Sequence, residues 1–451
     1  MRTAVPVGRA GSAGSTTLAA IRSDPLGFLA TRAARHPDRW WHRSGDERVH
    51  VVNHPDLARH VLRDNHVNYT KAGTPDDEML TPLLGEGLLT TDGEVWARQR
   101  RLAAPSFRRQ EVERFDGLIT RAALDLADGW REAAHAGQPV RVDHDLTALT
   151  LRVVVAALLG TDLESLGAKF GQAVDAVNRF IGHVDPAAPD SPDMLARHAA
   201  YLRAKRFLDL VVSTLIEARV YAGPADGAAP DLLSTLLAAP GCPEGFTGRE
   251  LHDQVLTMIM AGHETTAKAL TWTLHLLGGH PEVTAAVAAE LETVLGGRVP
   301  SASDLPKLVL TRAALDEAIR IFPPVWLLSR RAVADDVVAG EPVPAGTLVC
   351  LSPWLMHRHP GFWEQPEKYR PERFLPAAAA DRPSHLYLPF GGGPRICLGQ
   401  AFALTEATLV LATVLPRVRL RPVPGHVVEP EALVTLRPRY GLLMTAEVPG
   451  A

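Results

Sequence analysis

A chain of 451 residues, 46% apolar and 22% charged, can bury a large core and still enclose a cofactor-sized cavity, which excludes wholesale disorder. A formal net charge of −4 gives no global attraction for nucleic acid or a membrane surface. Three cysteines, Cys242, Cys350 and Cys397, are too few and odd in number for a disulfide framework and fit a reducing compartment.

Residues 1–23 are rich in Gly, Ala, Ser and Thr and read as a loose tail, with residues 24–451 as one mainly helical domain carrying a small β-rich part. The start lacks a secretory pattern, and no run approaches the roughly 18 apolar residues of a membrane span. A cytoplasmic protein without a membrane anchor is the expectation. Val49, Val51 and Val52 predict a short strand. Trp96 and Arg100 stand at i and i+4, sharing a helical face. Leu149–Leu159 is helix-compatible, and Ala222–Pro230 reads as a loop.

The clearest helix opens at Thr247-Gly248-Arg249-Glu250, a capping-box pattern, and runs to about Leu277, where Gly278-Gly279 and Pro281 stop it. Such a helix is about 45 Å long and crosses a whole domain. Midway, Ala261-Gly262-His263-Glu264-Thr265-Thr266 interrupts its apolar run. Threonine hydroxyls that bond back to the preceding turn bend a helix, so a local opening is expected there. Glu264 is placed to pass protons and Thr265 to hold them. A further helix covers Leu308–Ile321, with Glu317 and Arg320 three apart. A β-prone stretch to Pro353 follows, and a last helix spans Gly399–Val414.

Ahead of that last helix lies Phe390-Gly391-Gly392-Gly393-Pro394-Arg395-Ile396-Cys397-Leu398-Gly399-Gln400. Three glycines and a proline let the backbone pass close under a flat ligand. A cysteine at a helix start gains from the dipole and from unpaired amides, which favour the thiolate. Cys242 and Cys350, without such surroundings, read as ordinary buried thiols.

The run resembles the haem-binding signature of the cytochrome P450 family, F-x-x-G-x-R-x-C-x-G, matched at Phe390, Gly393, Arg395, Cys397 and Gly399. The likeness extends from about Asp24 to Met444. It implies the family fold, with haem b between the long central helix and the cysteine-loop helix and Cys397 as the iron ligand. The 261–266 run is similar to the family's A-G-x-[DE]-T-T element. That similarity implies that Ala261 and Gly262 flank a dioxygen pocket and that Glu264 and Thr265 are catalytic, supplying protons for O–O cleavage.

Trp96, Arg100, Arg331 and Arg395 are implied as haem propionate contacts, with Phe390 on the thiolate side. Glu317, Arg320 and Arg373, from the family's E-x-x-R and P-E-R-F elements, are implied as a buried structural triad. Leu89, Ala261, Val325, Trp326, Leu327 and Val434 are implied as the substrate contacts. All six are apolar, which points to a lipophilic small molecule such as a terpenoid or another natural-product intermediate.

Together these features imply a monooxygenase that hydroxylates or epoxidises that molecule with O2. The chain ends soon after the expected last strands, so electrons are expected from a ferredoxin and ferredoxin reductase rather than a fused domain. Arg98, Arg101, Arg108 and Arg109 form the expected acidic-partner patch. A monomer is expected, with no nucleic acid partner. Fatty-acid hydroxylase, peroxygenase and non-catalytic haem gas sensor are the competing readings.

Overall fold

The computed structural model describes residues 24–45, 47–160, 167–182, 192–222 and 248–449, with Ile21, Leu233 and Phe246. The 1–23 tail apart from Ile21, the Thr247 hydroxyl of the expected capping box, Cys242 and residues 223–230 of the expected loop lie outside the described residues.

The body is mainly helical, and eight of the helices among the described residues frame the site. They are α1 (Gly93–Ala103), α2 (Asp116–His135), α3 (Val142–Leu159), α4 (Gly167–Gly182), α5 (Pro192–Ala222), α6 (Gly248–Gly279), α7 (Val309–Ile321) and α8 (Gln400–Val414). The central helix α6 is 32 residues long and buries residues on every side. A helix apolar all round has neighbours all round. It packs on α3, α5, α7 and α8.

Expected and observed boundaries agree within two residues for α6, α7 and α8. α3 begins earlier than its apolar run, because Asp143 and Asp145 occupy its first turn. Negative side chains are favoured there by the helix dipole. Gly160, left-handed at φ 64°, ends it.

Five short strands form the main sheet: β1 (Arg39–Ser44), β2 (Glu47–Val52), β3 (Tyr69–Thr70), β4 (Leu328–Ala332) and β5 (Leu348–Leu351), in the order β1-β2-β5-β4-β3. The β2–β5 pairing is parallel, with Val49 opposite Leu348. It ties the chain's first strands to the β-prone stretch before Pro353. Cys350 sits buried in β5, where burial pushes its thiol far up, as expected of an inert thiol. Among the described residues no helix is long and apolar enough to cross a membrane.

At the far end of α7 the expected triad is assembled. Arg320 donates through Nε to Glu317 Oε2 at 2.7 Å and through Nη2 to Oε1 at 2.9 Å, and Arg373 Nε reaches Oε1 at 3.2 Å. Glu317 and Arg320 are wholly inaccessible to solvent.

Candidate active site

The cysteine loop folds back on itself. The Cys397 amide donates to the Phe390 carbonyl at 2.9 Å, and Ile396 N to Gly393 O at 3.1 Å. Gly393 has φ +66°, and a Cβ there would stand 1.7 Å from the Leu62 carbonyl oxygen, so no other residue fits. Gly399 caps α8, and its amide hydrogen-bonds the Cys397 sulfur. Burial pushes the Cys397 thiol up, while the Gly399 amide and the Arg100 guanidinium pull the other way. Atoms crowd the sulfur from the loop side, yet Cys397 keeps exposed surface.

Across from the loop, Ala261 is exposed although Ile259, Met260, His263 and Glu264 around it are buried. An exposed residue in the middle of a buried helix marks interior space. Leu89 and Leu398 pack against the same apolar cluster that contains Met260.

The back-bonding expected of the α6 threonines is present. Thr265 Oγ1 donates to Ala261 O at 2.8 Å and Thr266 Oγ1 to Gly262 O at 3.0 Å, and the helix continues unbroken. Gly262 is needed for packing: a Cβ there would lie 3.1 Å from Val154 Cγ2 on α3. Its bare side thus faces α3. Glu264 is buried and accepts a hydrogen bond from the Thr435 hydroxyl at 2.9 Å. No sequence feature pointed to Thr435, which lies 171 residues away.

Trp96, Arg100 and Arg395 come together as expected. The Arg395 guanidinium lies 4.4 Å from the Trp96 ring centre and that of Arg100 5.7 Å from it. Arg395 also donates to Thr91 O at 2.8 Å and pairs with Asp92. Burial raises the Asp92 carboxyl, but the Thr70 hydroxyl, the Arg395 guanidinium and the Gly93 and Lys71 amides outweigh it and hold it well below the usual range.

The strand cation requires a correction. Arg331 spends its donors elsewhere, on Gly73 O at 3.0 Å, Gly346 O at 2.9 Å and Glu47 Oε1 at 2.7 Å. Successive side chains of a strand face opposite ways, and it is Arg330 that turns inward toward Arg395 and Asp92. Burial, followed by the Arg395 charge, lowers Arg330 to about 10.

Lys71 joins the same group, buried, with Nζ donating to Leu89 O at 2.8 Å. Burial, then Arg330, bring it down to about 8. Four cations thus converge beside the cysteine loop, with Asp92 paired to Arg395, Asp76 acting on Lys71 and Arg330, and Asp77 acting on Lys71 and Arg395. Like charges gathered in a buried place imply an anionic guest.

Of the expected substrate contacts, Leu89, Ala261 and Val434 keep surface, as do Val325, Trp326 and Leu327. Trp326 and Leu327 pack on a separate cluster with Trp40 and Leu355, and Trp326 Nε1 is fixed to Leu433 O at 2.8 Å. Of the expected docking arginines, Arg98 is paired with Glu250 and Arg109 with Glu113, while Arg101 and Arg108 are exposed.

The sequence pattern of the family described as Cytochrome P450 matches residues 19–444. The chain is 37% identical to a cyclooctatin synthase from Streptomyces melanosporofaciens, over 91% of this chain and 89% of the relative. It is 36% identical to a pentalenene oxygenase from Streptomyces avermitilis, over 94% of each. A cyclooctat-9-en-7-ol 5-monooxygenase from S. melanosporofaciens is 35% identical, over 89% and 86%. Among solved structures, a crystal structure of the cytochrome P450DA heme domain superposes with TM-score 0.85 at 26% identity, covering 94% of this chain and 93% of that one.

Proposed function

The chain belongs to the cytochrome P450 family and is a haem b monooxygenase of it, and from that premise we propose that it hydroxylates or epoxidises a terpenoid with electrons from a ferredoxin. The observation that carries the reading is the exposure of Ala261 in the middle of the buried central helix, with Leu89 and Leu398 packed on the apolar cluster that contains Met260 and with Glu264 buried on the same helix. The names of the relatives support a terpenoid, since one oxygenates pentalenene and another cyclooctat-9-en-7-ol.

The residues present fit haem b. A cysteine with open surface, on a loop that Gly393 lets pack tightly against Leu62, and a cluster of buried cations beside it match a flat group with one sulfur ligand and two carboxylates. Cys397 would ligate the iron. Trp96, Arg100, Arg395, Arg330 and Lys71 would hold the propionates, with Arg330 taking the place expected of Arg331. When bound, the haem activates dioxygen, and its thiolate ligand favours O–O cleavage.

The chain's own residues then manage protons. The Thr265 hydroxyl spends its hydrogen on Ala261 O and keeps its lone pairs for a water or a proton donor. Glu264, buried beside it, holds a proton or releases it at a carboxylate oxygen. Leu89, Ala261 and Val434 shape an apolar floor for the substrate and exclude bulk water. Arg101 and Arg108, exposed and without an ion pair among the described residues, offer the docking charge for an acidic ferredoxin.

Titration of the ferric protein with pentalenene, cyclooctat-9-en-7-ol and a long-chain fatty acid, read by the haem spin-state shift, tests the substrate class. Saturable shifts with the terpenoids and none with the fatty acid are expected, and the reverse order rejects the terpenoid reading. The cation assignment has its own test. Arg330→Leu should weaken haem retention about 10- to 100-fold, the value of one or two charge-assisted hydrogen bonds. Arg331→Leu should leave retention near normal. Haem transfer to an excess of apomyoglobin measures both, and the opposite ranking would restore Arg331 to the site.

A further inference from the structure

We propose that Thr435 is a positioning residue that holds the Glu264 carboxylate on the C-terminal hairpin until substrate presses on the adjacent Val434 and releases it. The inference rests on the reading of Glu264 as the proton-carrying acid.

The hairpin pairs Pro430–Ala432 with Leu436–Pro438 in antiparallel register, Ala432 opposite Leu436, leaving residues 433–435 as its tip. Two indoles fasten the tip at its ends. Trp326 Nε1 donates to Leu433 O at 2.8 Å, and Trp272 Nε1 to Leu436 O at 3.0 Å. Leu436 N adds a bond to Pro324 O at 2.9 Å. Leu433 N also donates to Thr435 O at 3.2 Å, so Val434 and Thr435 are joined in one short turn.

The two differ in what they face. Val434 keeps accessible surface, whereas Thr435 is buried and its hydroxyl donates to Glu264 Oε1 at 2.9 Å. Trp272 lies two turns beyond Glu264 on the same helix, so the tip and the acid share one rigid frame. A displacement of Val434 is passed through the tip turn to Thr435, while Glu264 stays on the helix.

A hydroxyl-to-carboxylate bond out of water biases the acid's rotamer by about tenfold or more. In the resting protein the carboxylate is thus committed to the hairpin. A ligand that binds better when the tip is displaced shifts the population toward free Glu264. Proton supply and substrate arrival become linked, and futile reduction of dioxygen is suppressed when the pocket is empty.

The test uses the haem-loaded protein with NADPH, a plant-type ferredoxin and its reductase, and no added substrate. Thr435→Val keeps the shape and removes the donor. NADPH consumption with peroxide release should rise about tenfold, the bias of the lost bond. Thr435→Ser should restore the wild-type rate, and the Glu264→Gln/Thr435→Val pair should abolish the rise. A second readout is the infrared carboxylate band that disappears in Glu264→Gln, which should move in Thr435→Val and return in Thr435→Ser. Thr435→Ala replaces the valine variant if that one fails to fold.

Unchanged consumption and an unmoved band in Thr435→Val, with Glu264→Gln still altering turnover, would overturn this inference alone. If Glu264→Gln itself left turnover unchanged, the proton-carrying role of Glu264 and this inference would both fall.

Discussion

Replacing Glu317 by alanine is expected to leave almost no folded, haem-loaded protein at 37 °C. The carboxylate accepts four hydrogen bonds, two from Arg320, one from Arg373 and one from the Arg370 amide at 2.9 Å. Arg320 is wholly buried and pairs with no other acid among the described residues; its remaining acceptors are the carbonyls of His357 at 2.8 Å and Lys368 at 3.3 Å. Removing one partner of a buried pair strands the other's charge out of water, which costs about 3–5 kcal/mol. The orphaned Arg370 amide adds about 1–3 kcal/mol. A domain's whole stability is about 5–15 kcal/mol, so the loss is a large fraction of it.

Circular-dichroism melting at a temperature where some protein survives should show the midpoint lowered by about 4–8 °C. The double variant Glu317→Leu/Arg320→Met should be less damaged than Glu317→Ala, because no charge is left unmatched. An unchanged midpoint in Glu317→Ala would refute the structural role. Any Glu317→Ala protein that does bind haem should keep a normal spectrum, since the residue holds the scaffold and touches no reacting group.

How far the sequence exposed this site depended on how local each constraint was. The cysteine loop was readable because its demands are met within eleven residues: Gly393 must be glycine to pass Leu62, and Gly399 must free an amide for the sulfur. The central helix was readable because its apolar pattern persists for 32 residues. Arg331 was mistaken for Arg330 because a strand reverses facing at every residue, so an error of one in phase exchanges the two sides of a sheet.

Lys71, Asp92 and Thr435 were missed for a different reason. Each gains its meaning from a partner far along the chain, Arg395 and Arg330 for the first two and Glu264 for the third. A lone lysine after a two-residue strand, or a threonine in a hairpin turn, has no distinguishing pattern. A glycine such as Gly262 records that space is scarce without recording what fills it; on its missing side-chain face Val154 does.

The second large effect concerns Cys397 itself. Serine at this position keeps the size and the loop, and the Gly399 amide and Arg100 would still face its side chain. A serine hydroxyl is intrinsically far less acidic than a thiol and is a poor, hard donor to iron, so it does not ionise here near neutral pH. The electron-rich sulfur donor is therefore lost, and oxygenation with it, although a haem held by the cation cluster can still bind. The measurement is the Soret band of the dithionite-reduced carbonyl complex, recorded for the wild-type protein and for Cys397→Ser. The red-shifted thiolate band is expected in the wild type and should be absent from the serine variant; its survival in the variant would contradict Cys397 as the iron's ligand.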